Sequence, residues 1–232
     1  MNLNPLLRRA AAITIAAFAL SATAFAAEDY SPAERALFMT DHFAGTKPPV
    51  TLRYGFSKSG SMEEGFTDQV AVKLAARKDG KCCTASADFL SGARRLSLPE
   101  VDEAQGNPVV LYFLERDIRE MNRLTKGQQN YFRKRIRMAV YQGAQVQDVS
   151  VGYRGKTVPA REITVTPYRD DPLRVRFEKL ANKTYVFTLS DAVPGGVYAI
   201  RTRIDGEGAD AAPLIAEEML LDGGVAAAAR KP

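Results

Sequence analysis

The spacing of hydrophobic residues changes twice along this chain. Apolar and polar residues alternate over residues 50–90, apolar residues recur at helical spacing over 109–141, and alternation returns over about 149–204. Alternation is typical of a strand with one buried face, whereas apolar residues three and four apart are typical of an amphipathic helix. The chain therefore predicts two antiparallel meanders with two helices inserted between them.

The first alternating region predicts a meander of three or four strands. The dipeptide Asp79-Gly80 is a strong hairpin signal between the second and third of them. The predicted strands cover residues 50–57, 66–74, 81–90 and, as a candidate fourth, Arg94–Leu98.

A short helix is predicted upstream of this meander. Ser31 and Glu34 form a capping-box pattern around Pro32, which takes the first helical position. The helix is expected to reach about Phe43, because Gly45 follows and is typical of a helix end.

The central stretch predicts two consecutive helices. Asn107 is a good N-cap and Pro108 a good first residue, and Gly127 is expected to end the first helix. A second helix is expected over about 129–141.

The first of these helices also predicts ion pairs on its exposed face. Glu115 with Arg119, and Arg116 with Glu120, are acid–base pairs four residues apart. Its apolar arc is expected to pack on the sheet and consists of Val110, Leu111, Leu114, Ile118, Met121 and Leu124.

The second alternating region predicts five strands with short turns, and a further segment over 214–221 that is ambiguous between strand and helix. The five strands are expected over 149–153, 163–165, 173–177, 185–189 and 198–204. An alternating sheet has one apolar face to cover, and the two helices can cover it. The predicted class is α+β, mainly antiparallel β: a strongly curved sheet or half-open β-barrel with a two-helix insertion covering its concave face.

This order of elements resembles, at the level of architecture, the periplasmic lipoprotein carriers of the Lol system. In those proteins an open barrel with a helical lid holds acyl chains. The resemblance implies a non-enzymatic carrier whose ligand lies between sheet and helices, and it covers nearly the whole of the chain after its first 26 residues.

The N-terminal residues predict export. Arg8 and Arg9 precede an apolar run over 10–22, and Ala24-Phe25-Ala26 matches a small-x-small cleavage site. We expect a signal peptide over 1–26, cleaved after Ala26, then a single periplasmic domain over 27–224 and a disordered tail over 225–232. The apolar run is too short for a membrane span, which takes about 20 residues. No transmembrane span is expected after cleavage.

Composition and motifs argue against several functions. The formal net charge of +5 is mild and no basic arm is present, so nucleic acid is not an expected partner. The sequence has one histidine, His42, and we interpret it as a helix-end residue rather than a general base. Adjacent Cys82 and Cys83 fit no redox or zinc spacing, and on a strand they point to opposite faces. We interpret them as one buried and one exposed thiol, with an intermolecular disulfide in an oxidising compartment as the alternative, and expect no metal or cofactor.

Two carboxylates are expected to face inward. Asp117 falls within the apolar arc of the first long helix, and Asp68 shares a strand face with Phe66, Val70 and Val72. A charge turned toward a core is costly unless it is paired. Either both acids line a ligand cavity, or each meets an arginine or sits where its element leaves the core; the second interpretation is favoured.

Two further groups are candidate binding residues. Arg133, Lys134 and Arg137 form a basic patch that would suit an anionic lipid headgroup or an acidic partner, or would be a solvated helix face. A lipophilic pocket, or equally an ordinary core, is predicted from Tyr54, Phe56, Val72, Leu114, Ile118, Met121, Tyr185 and Phe187.

Three functions stay open at this point. The first is an exported protein that binds or carries a lipophilic ligand or an acylated protein in maintenance of the cell envelope. The second is a non-enzymatic accessory module of an envelope complex, with a filled core and an envelope protein as partner. The third is a carboxylate-based hydrolase, which ranks last because no catalytic constellation is present.

Overall fold

One open antiparallel sheet organises the molecule. The computed structural model describes residues 30–79, 82–102, 106–208 and 211–226. The strands are β1 (Val50–Ser59), β2 (Phe66–Ala76), β3 (Cys82–Phe89), β4 (Gln145–Tyr153), β5 (Lys156–Val165), β6 (Thr184–Leu189), β7 (Val197–Ile204) and β8 (Ile215–Leu221). Their order in the sheet is β3-β2-β1-β8-β7-β6-β5-β4, with β3 and β4 at its two ends.

Three helical segments accompany the sheet. A single turn, α1 (Pro32–Glu34), continues as a π-helix over Arg35–Met39. The long helices α2 (Pro108–Thr125) and α3 (Gln129–Gly143) follow β3 and precede β4, so the helical insertion connects the two opposite ends of the sheet. The predicted α+β class, an open antiparallel sheet with a two-helix insertion, is confirmed.

The two meanders join where the first strand pairs with the last. β1 pairs with β8 in antiparallel register, with Phe56 opposite Met219. The same cross-strand row continues through Ile200 and Phe187 to Ile163, and all five side chains are buried. This apolar row runs across five neighbouring strands and forms the centre of the core on the helix-covered face.

Two predicted strands are wrong. Arg94–Leu98 begins in the last residue of a 3₁₀ turn over Gly92–Arg94, and within this segment only Leu96 bridges to β3, opposite Phe89. The segment turns because the Arg94 and Arg95 amides donate to the carbonyls of Ser91 and Gly92 instead of to a neighbouring strand.

The predicted strand at 173–177 is replaced by 3₁₀ helices over Arg174–Arg176 and Glu178–Asn182. Asp171 starts this turn: its carboxylate accepts from the Leu173 amide at 2.7 Å, and its carbonyl accepts from the Arg174 amide at 3.0 Å. A short acidic side chain that bonds the backbone two residues ahead favours a turn over a strand.

Helix ends differ from the predictions in two places. The capping box of Ser31 and Glu34 is confirmed, but the helical segment ends at Met39 and not at Phe43. Helix α2 ends at Thr125, and its C-cap is Lys126, which is left-handed with φ of 60°, rather than Gly127. Gly127 is required for another reason, because a Cβ there would lie 2.6 Å from the Phe132 ring.

The cysteine interpretation is also wrong. Cys83 is buried and Cys82 is exposed, as expected, but the two are joined in a disulfide, and the described residues contain no free cysteine. The register between β2 and β3 shifts between Ala75 and Ala76, beside Cys82, so regular strand alternation does not hold at this end of β3.

The predicted signal peptide and its cleavage site lie outside the described residues, as do Gly80 of the predicted hairpin and residues 227–232 of the predicted tail. Val225, the first residue of that tail segment, donates its amide to the Tyr198 hydroxyl at 2.8 Å.

Candidate functional site

Helix α2 has two apolar faces rather than one. Val110, Phe113 and Met121 are fully buried in the core against the sheet. Leu111, Leu114 and Ile118 are spaced three, four and seven residues apart and form a second stripe, which lines a groove. The predicted apolar arc combined these two stripes into one.

The groove lies between α2, α3, the N-terminal helical segment and the loop after β3, and has a volume of about 700 Å³. Leu114, Ile118 and Ile136 are buried, whereas Leu111 remains 38% exposed. Its apolar and aromatic lining consists of Tyr30, Phe38, Met39, Leu98, Pro99, Val101, Leu111, Tyr112, Leu114, Ile118 and Ile136.

Hydrogen bonds hold the walls of this groove in place. The Ser31 hydroxyl donates to the Val140 carbonyl at 3.1 Å, which fixes the N-terminal segment on α3. The Tyr112 hydroxyl lies between the carbonyls of Ala85 at 2.8 Å and Pro99 at 3.1 Å, which fixes the loop after β3 on α2. The groove is therefore bounded by elements that are tied to one another.

Charged side chains also line the groove: three arginines and two glutamates. Glu115 pairs with Arg133 at 2.8 Å and with Arg119 at 3.2 Å, so the predicted Glu115–Arg119 pair is confirmed. Glu34 accepts from the Ser31 amide as part of the capping box. Arg137 lies one turn after Arg133 on α3 and is exposed.

A second set of polar groups is buried beneath α2. Lys58, Glu217, Thr202 and Tyr185 are successive neighbours in one cross-strand row, adjacent to the apolar row at the centre of the core. From the helix, Arg116 pairs with Glu217 at 2.7 Å. The predicted exposed pair of Arg116 with Glu120 is therefore wrong, because Arg116 turns inward and Glu120 pairs with Lys58 at 2.9 Å.

Burial and ion pairing set the protonation of this network. Burial disfavours the ionised form of Glu217, but the charges of Lys183 and Arg116 outweigh it, and the pKa of Glu217 is lowered. The pKa of Glu120 is also lowered, since burial is outweighed by hydrogen bonds from Arg123 and Lys58. Both acids are thus held ionised.

The two predicted inward acids lie in different places. Asp117 is fully buried, ion-paired with Lys183, and accepts from the Tyr185 hydroxyl at 2.6 Å. Asp68 is half-buried near the start of β2, where its carboxylate accepts from the Ser91 amide at 3.0 Å. The structure does not bring the two acids together, and neither lines the groove. Asp117 is paired as favoured, but with a lysine instead of an arginine.

The predicted ligand residues fall into two groups. All eight are buried in the core. Only Leu114 and Ile118 also line the groove. The other six are Tyr54, Phe56, Val72, Met121, Tyr185 and Phe187.

The three residues of the predicted basic patch lie on two different faces of α3. Arg133 and Arg137 line the groove, whereas Lys134 is exposed and does not. Sequence reasoning missed the walls made by the N-terminal segment and the loop after β3. Arg133, Ile136 and Arg137 have the spacing of one face of α3, and Leu111, Leu114 and Ile118 have the spacing of one face of α2. Together these two spacings could have indicated a second interface.

His42 lies outside the groove and contacts Asn107, which caps α2, and Gly196, in the turn before β7. Its Nδ1 is 3.1 Å from the Asn107 amide nitrogen, and its ring would be 2.8 Å from a Cβ at Gly196. Burial lowers the pKa of His42, against the opposing charges of Asp191 and Asp41. Near neutral pH the ring is therefore uncharged and accepts a hydrogen bond at Nδ1.

A smaller cavity of about 250 Å³ beside His42 contains Ser190 and Asp191. The Ser190 hydroxyl donates to the Pro159 carbonyl at 2.6 Å, and His42 Nδ1 is occupied by Asn107. A serine nucleophile is activated by a hydrogen bond to its base, whereas the Ser190 hydroxyl is bonded to a backbone carbonyl here.

Among the described residues, no group of three or more metal-ligating side chains is placed to hold an ion, and no helix has the length and apolarity to cross a membrane.

Comparison with known proteins gives a remote structural likeness. No protein-family model matches the chain, and no curated protein matches it. Among solved structures, it is similar to the Mycobacterium tuberculosis lipoprotein LppX, with 8% sequence identity and a TM-score of 0.31. The alignment covers 81% of this chain and 92% of that chain.

Proposed function

We propose that this chain is an exported, non-enzymatic binding protein that holds a lipophilic ligand, or the acyl chain of a partner protein, in the groove between α2, α3 and the N-terminal segment. The observation that carries the proposal is a groove of about 700 Å³ whose lining is mainly apolar. This volume falls within the range of about 300–1,000 Å³ that is typical of small-molecule sites.

Exposed apolar side chains at the groove supply the driving force. Tyr30, Met39 and Leu111 are each at least 38% exposed and all line it. Covering such surface with a hydrocarbon chain is favourable by about 0.8 kcal/mol for each methylene removed from water. An acyl chain therefore suits the groove better than a sugar or a nucleotide does.

The predicted signal peptide supports a place for this activity in the periplasm. Lipids and acylated proteins that cross that compartment need their hydrocarbon chains shielded from water. A binding protein there would serve maintenance of the cell envelope.

Native mass spectrometry of the chain purified from periplasm tests the proposal, together with titration of a fluorescent fatty-acid probe. We expect a bound lipid mass in the first measurement and saturable probe binding in the second. The variant Leu111→Glu places a charge in the groove at a partly exposed position, and we expect it to weaken probe binding by at least about tenfold.

Val175→Glu is the matched control, since Val175 is 84% exposed on a 3₁₀ turn away from the groove. It should leave probe binding unchanged. A bare chain mass with no probe uptake would overturn the binding proposal and favour the accessory module, in which the groove receives apolar side chains of an envelope protein.

A further inference from the structure

We infer that the groove selects an amphiphile with an anionic headgroup, a carboxylate or a phosphate monoester, and that Arg137 binds that headgroup. This inference rests on the proposed function, because it assigns the polar end of the ligand that the groove would hold.

Arginine exceeds glutamate among the charged groups of the groove, three to two. Glu115 is shared by Arg119 and Arg133, and Arg133 also donates to Asn130 at 2.7 Å. Glu34 is engaged by the Ser31 amide. The charges of the groove therefore leave one positive group in excess.

Arg137 is that group. Within the described parts of the chain, its guanidinium makes no hydrogen bond or ion pair, whereas Arg119 and Arg133 each pair with Glu115. A guanidinium presents a planar set of donors that matches a carboxylate or a phosphate with two parallel hydrogen bonds. Arg137 is exposed beside the apolar lining of the groove and is available to a ligand, whereas Arg133 is already paired with Glu115.

The geometry of α3 separates the two ends of such a ligand. Ile136 is buried in the groove, and the adjacent Arg137 lines it but is exposed to solvent. A headgroup bound by Arg137 would remain hydrated, while its chain extends over Ile136 and Ile118 toward Met39. An uncharged lipid of the same length would gain the apolar contacts but would leave Arg137 unpaired.

Binding of three sixteen-carbon probes tests the inference: palmitate, hexadecyl phosphate and hexadecanol. The wild-type chain should bind both anions more tightly than the alcohol. Arg137→Gln should weaken binding of the anions by about five- to tenfold and leave hexadecanol within twofold. Arg137→Lys keeps the charge but loses the paired donors, so it should retain part of the preference.

Lys134→Gln is the matched control, because it removes the same charge from α3 at a position that does not line the groove. It should leave all three affinities unchanged at physiological salt, where charges more than about 8 Å apart are screened. Urea midpoints of all variants should match the wild type, since positions 134 and 137 are exposed.

Each result decides between the two claims. Equal affinity for palmitate and hexadecanol, with no loss in Arg137→Gln, would overturn the headgroup inference and leave the binding function in place. An equal loss in Lys134→Gln would also overturn it, because the effect would then come from net charge. If none of the three probes binds, both the headgroup inference and the proposed function fail. A preference between palmitate and hexadecyl phosphate would identify the headgroup as carboxylate or phosphate.

Discussion

Asp117 shows how a single buried charge determines the position of a helix. Its carboxylate is fully buried, ion-paired with Lys183 and hydrogen-bonded to Tyr185, which place it on the start of β6. Lys183 is also 4.0 Å from Glu217 on β8. Asp117 thus joins α2 to the start of β6, and Lys183 extends the contact to β8, so we infer a structural role for Asp117.

Replacing Asp117 by Asn should destabilise the fold by about 3–5 kcal/mol, because it leaves the buried Lys183 without its nearest countercharge. Equilibrium unfolding in urea measures this loss. The double variant Asp117→Leu/Lys183→Met removes both charges while it fills similar volume, and it should recover most of the lost stability.

Probe binding by Asp117→Asn, measured well below the urea transition, should stay at the wild-type value, because Asp117 does not line the groove. Loss of binding without loss of stability would contradict the structural role and make Asp117 a ligand-binding residue.

The burial of Asp117 could be predicted from its place on the helical wheel, as could its need for a basic partner. The identity of that partner could not. Lys183 lies 66 residues away in the sequence, in a segment with many basic residues, and only the register of β6 beneath α2 selects it. The exposed position predicted for Arg116 was wrong for the same reason, because its partner Glu217 lies 101 residues away in the sequence.

At the scale of the element, the start of α2 is a junction of three chain segments. The side-chain oxygen Oδ1 of Asn107 accepts from the Val109 amide at 3.0 Å, and its side-chain Nδ2 donates to the Gly195 carbonyl at 2.7 Å. The same amide contacts His42 Nδ1. Gly195 has φ of 73°, and a Cβ there would lie 2.4 Å from Leu52, so the turn before β7 fits closely against this junction.

Two substitutions at Asn107 separate the cap from the junction. Asn107→Ser keeps an oxygen to cap α2 but loses the amide donor, so the buried Gly195 carbonyl loses its partner, at a cost of about 1–3 kcal/mol. Asn107→Ala loses the cap as well and should cost about 1 kcal/mol more. Urea midpoints of the two variants measure both steps.

Equal stability of Asn107→Ser and the wild type would contradict the junction, and equal stability of the two variants would contradict the cap. Lys126, at the far end of the same helix, offers a control. Lys126→Gly at φ of 60° should be neutral or slightly stabilising, because glycine accepts this conformation without a steric cost.

Most elements could be predicted because their periodicity is strong and their ends carry caps, as Asn107 does. The strand predicted at 173–177 does not form, although its residues alternate, because the Asp171 carboxylate bonds the Leu173 amide and starts a turn instead. The groove was missed because periodicity identifies an apolar face without identifying what covers it. Leu111 and Val110 both counted as apolar, although one lines the groove and the other lies in the core.

At the scale of the whole molecule, two contacts between distant segments complete the fold. β1 pairs with β8, and the network of Lys58, Arg116 and Glu217 joins both of these strands to α2. Each meander could be predicted alone, but nothing in either pattern states that the first strand of one pairs with the last strand of the other. The position of the groove depends on this pairing, because the paired sheet supports α2.

We expect the buried network to make the whole fold sensitive to acid. Burial opposes ionisation of Glu217 and Glu120, yet their positive neighbours lower both pKa values below the ordinary 4.5. In the unfolded chain these groups take up protons at higher pH than in the folded chain. Their contribution is therefore complete above about pH 4.5 and is lost as the pH falls through their lowered folded pKa values. The urea midpoint should be steady from pH 7 to 5.5 and fall steeply toward pH 3.

Glu217→Gln should lower the midpoint at neutral pH, because Arg116 and Lys183 lose a buried countercharge, and it should flatten the fall in acid, because one linked proton is gone. Glu64→Gln, at an exposed position in the loop between β1 and β2, should change neither the neutral midpoint nor the slope. If the slope of Glu217→Gln below pH 4.5 equals that of the wild type, the buried network is not the source of the acid sensitivity. Other carboxylates, such as Asp88 with its lowered pKa beside Lys73 and Arg95, would then account for it.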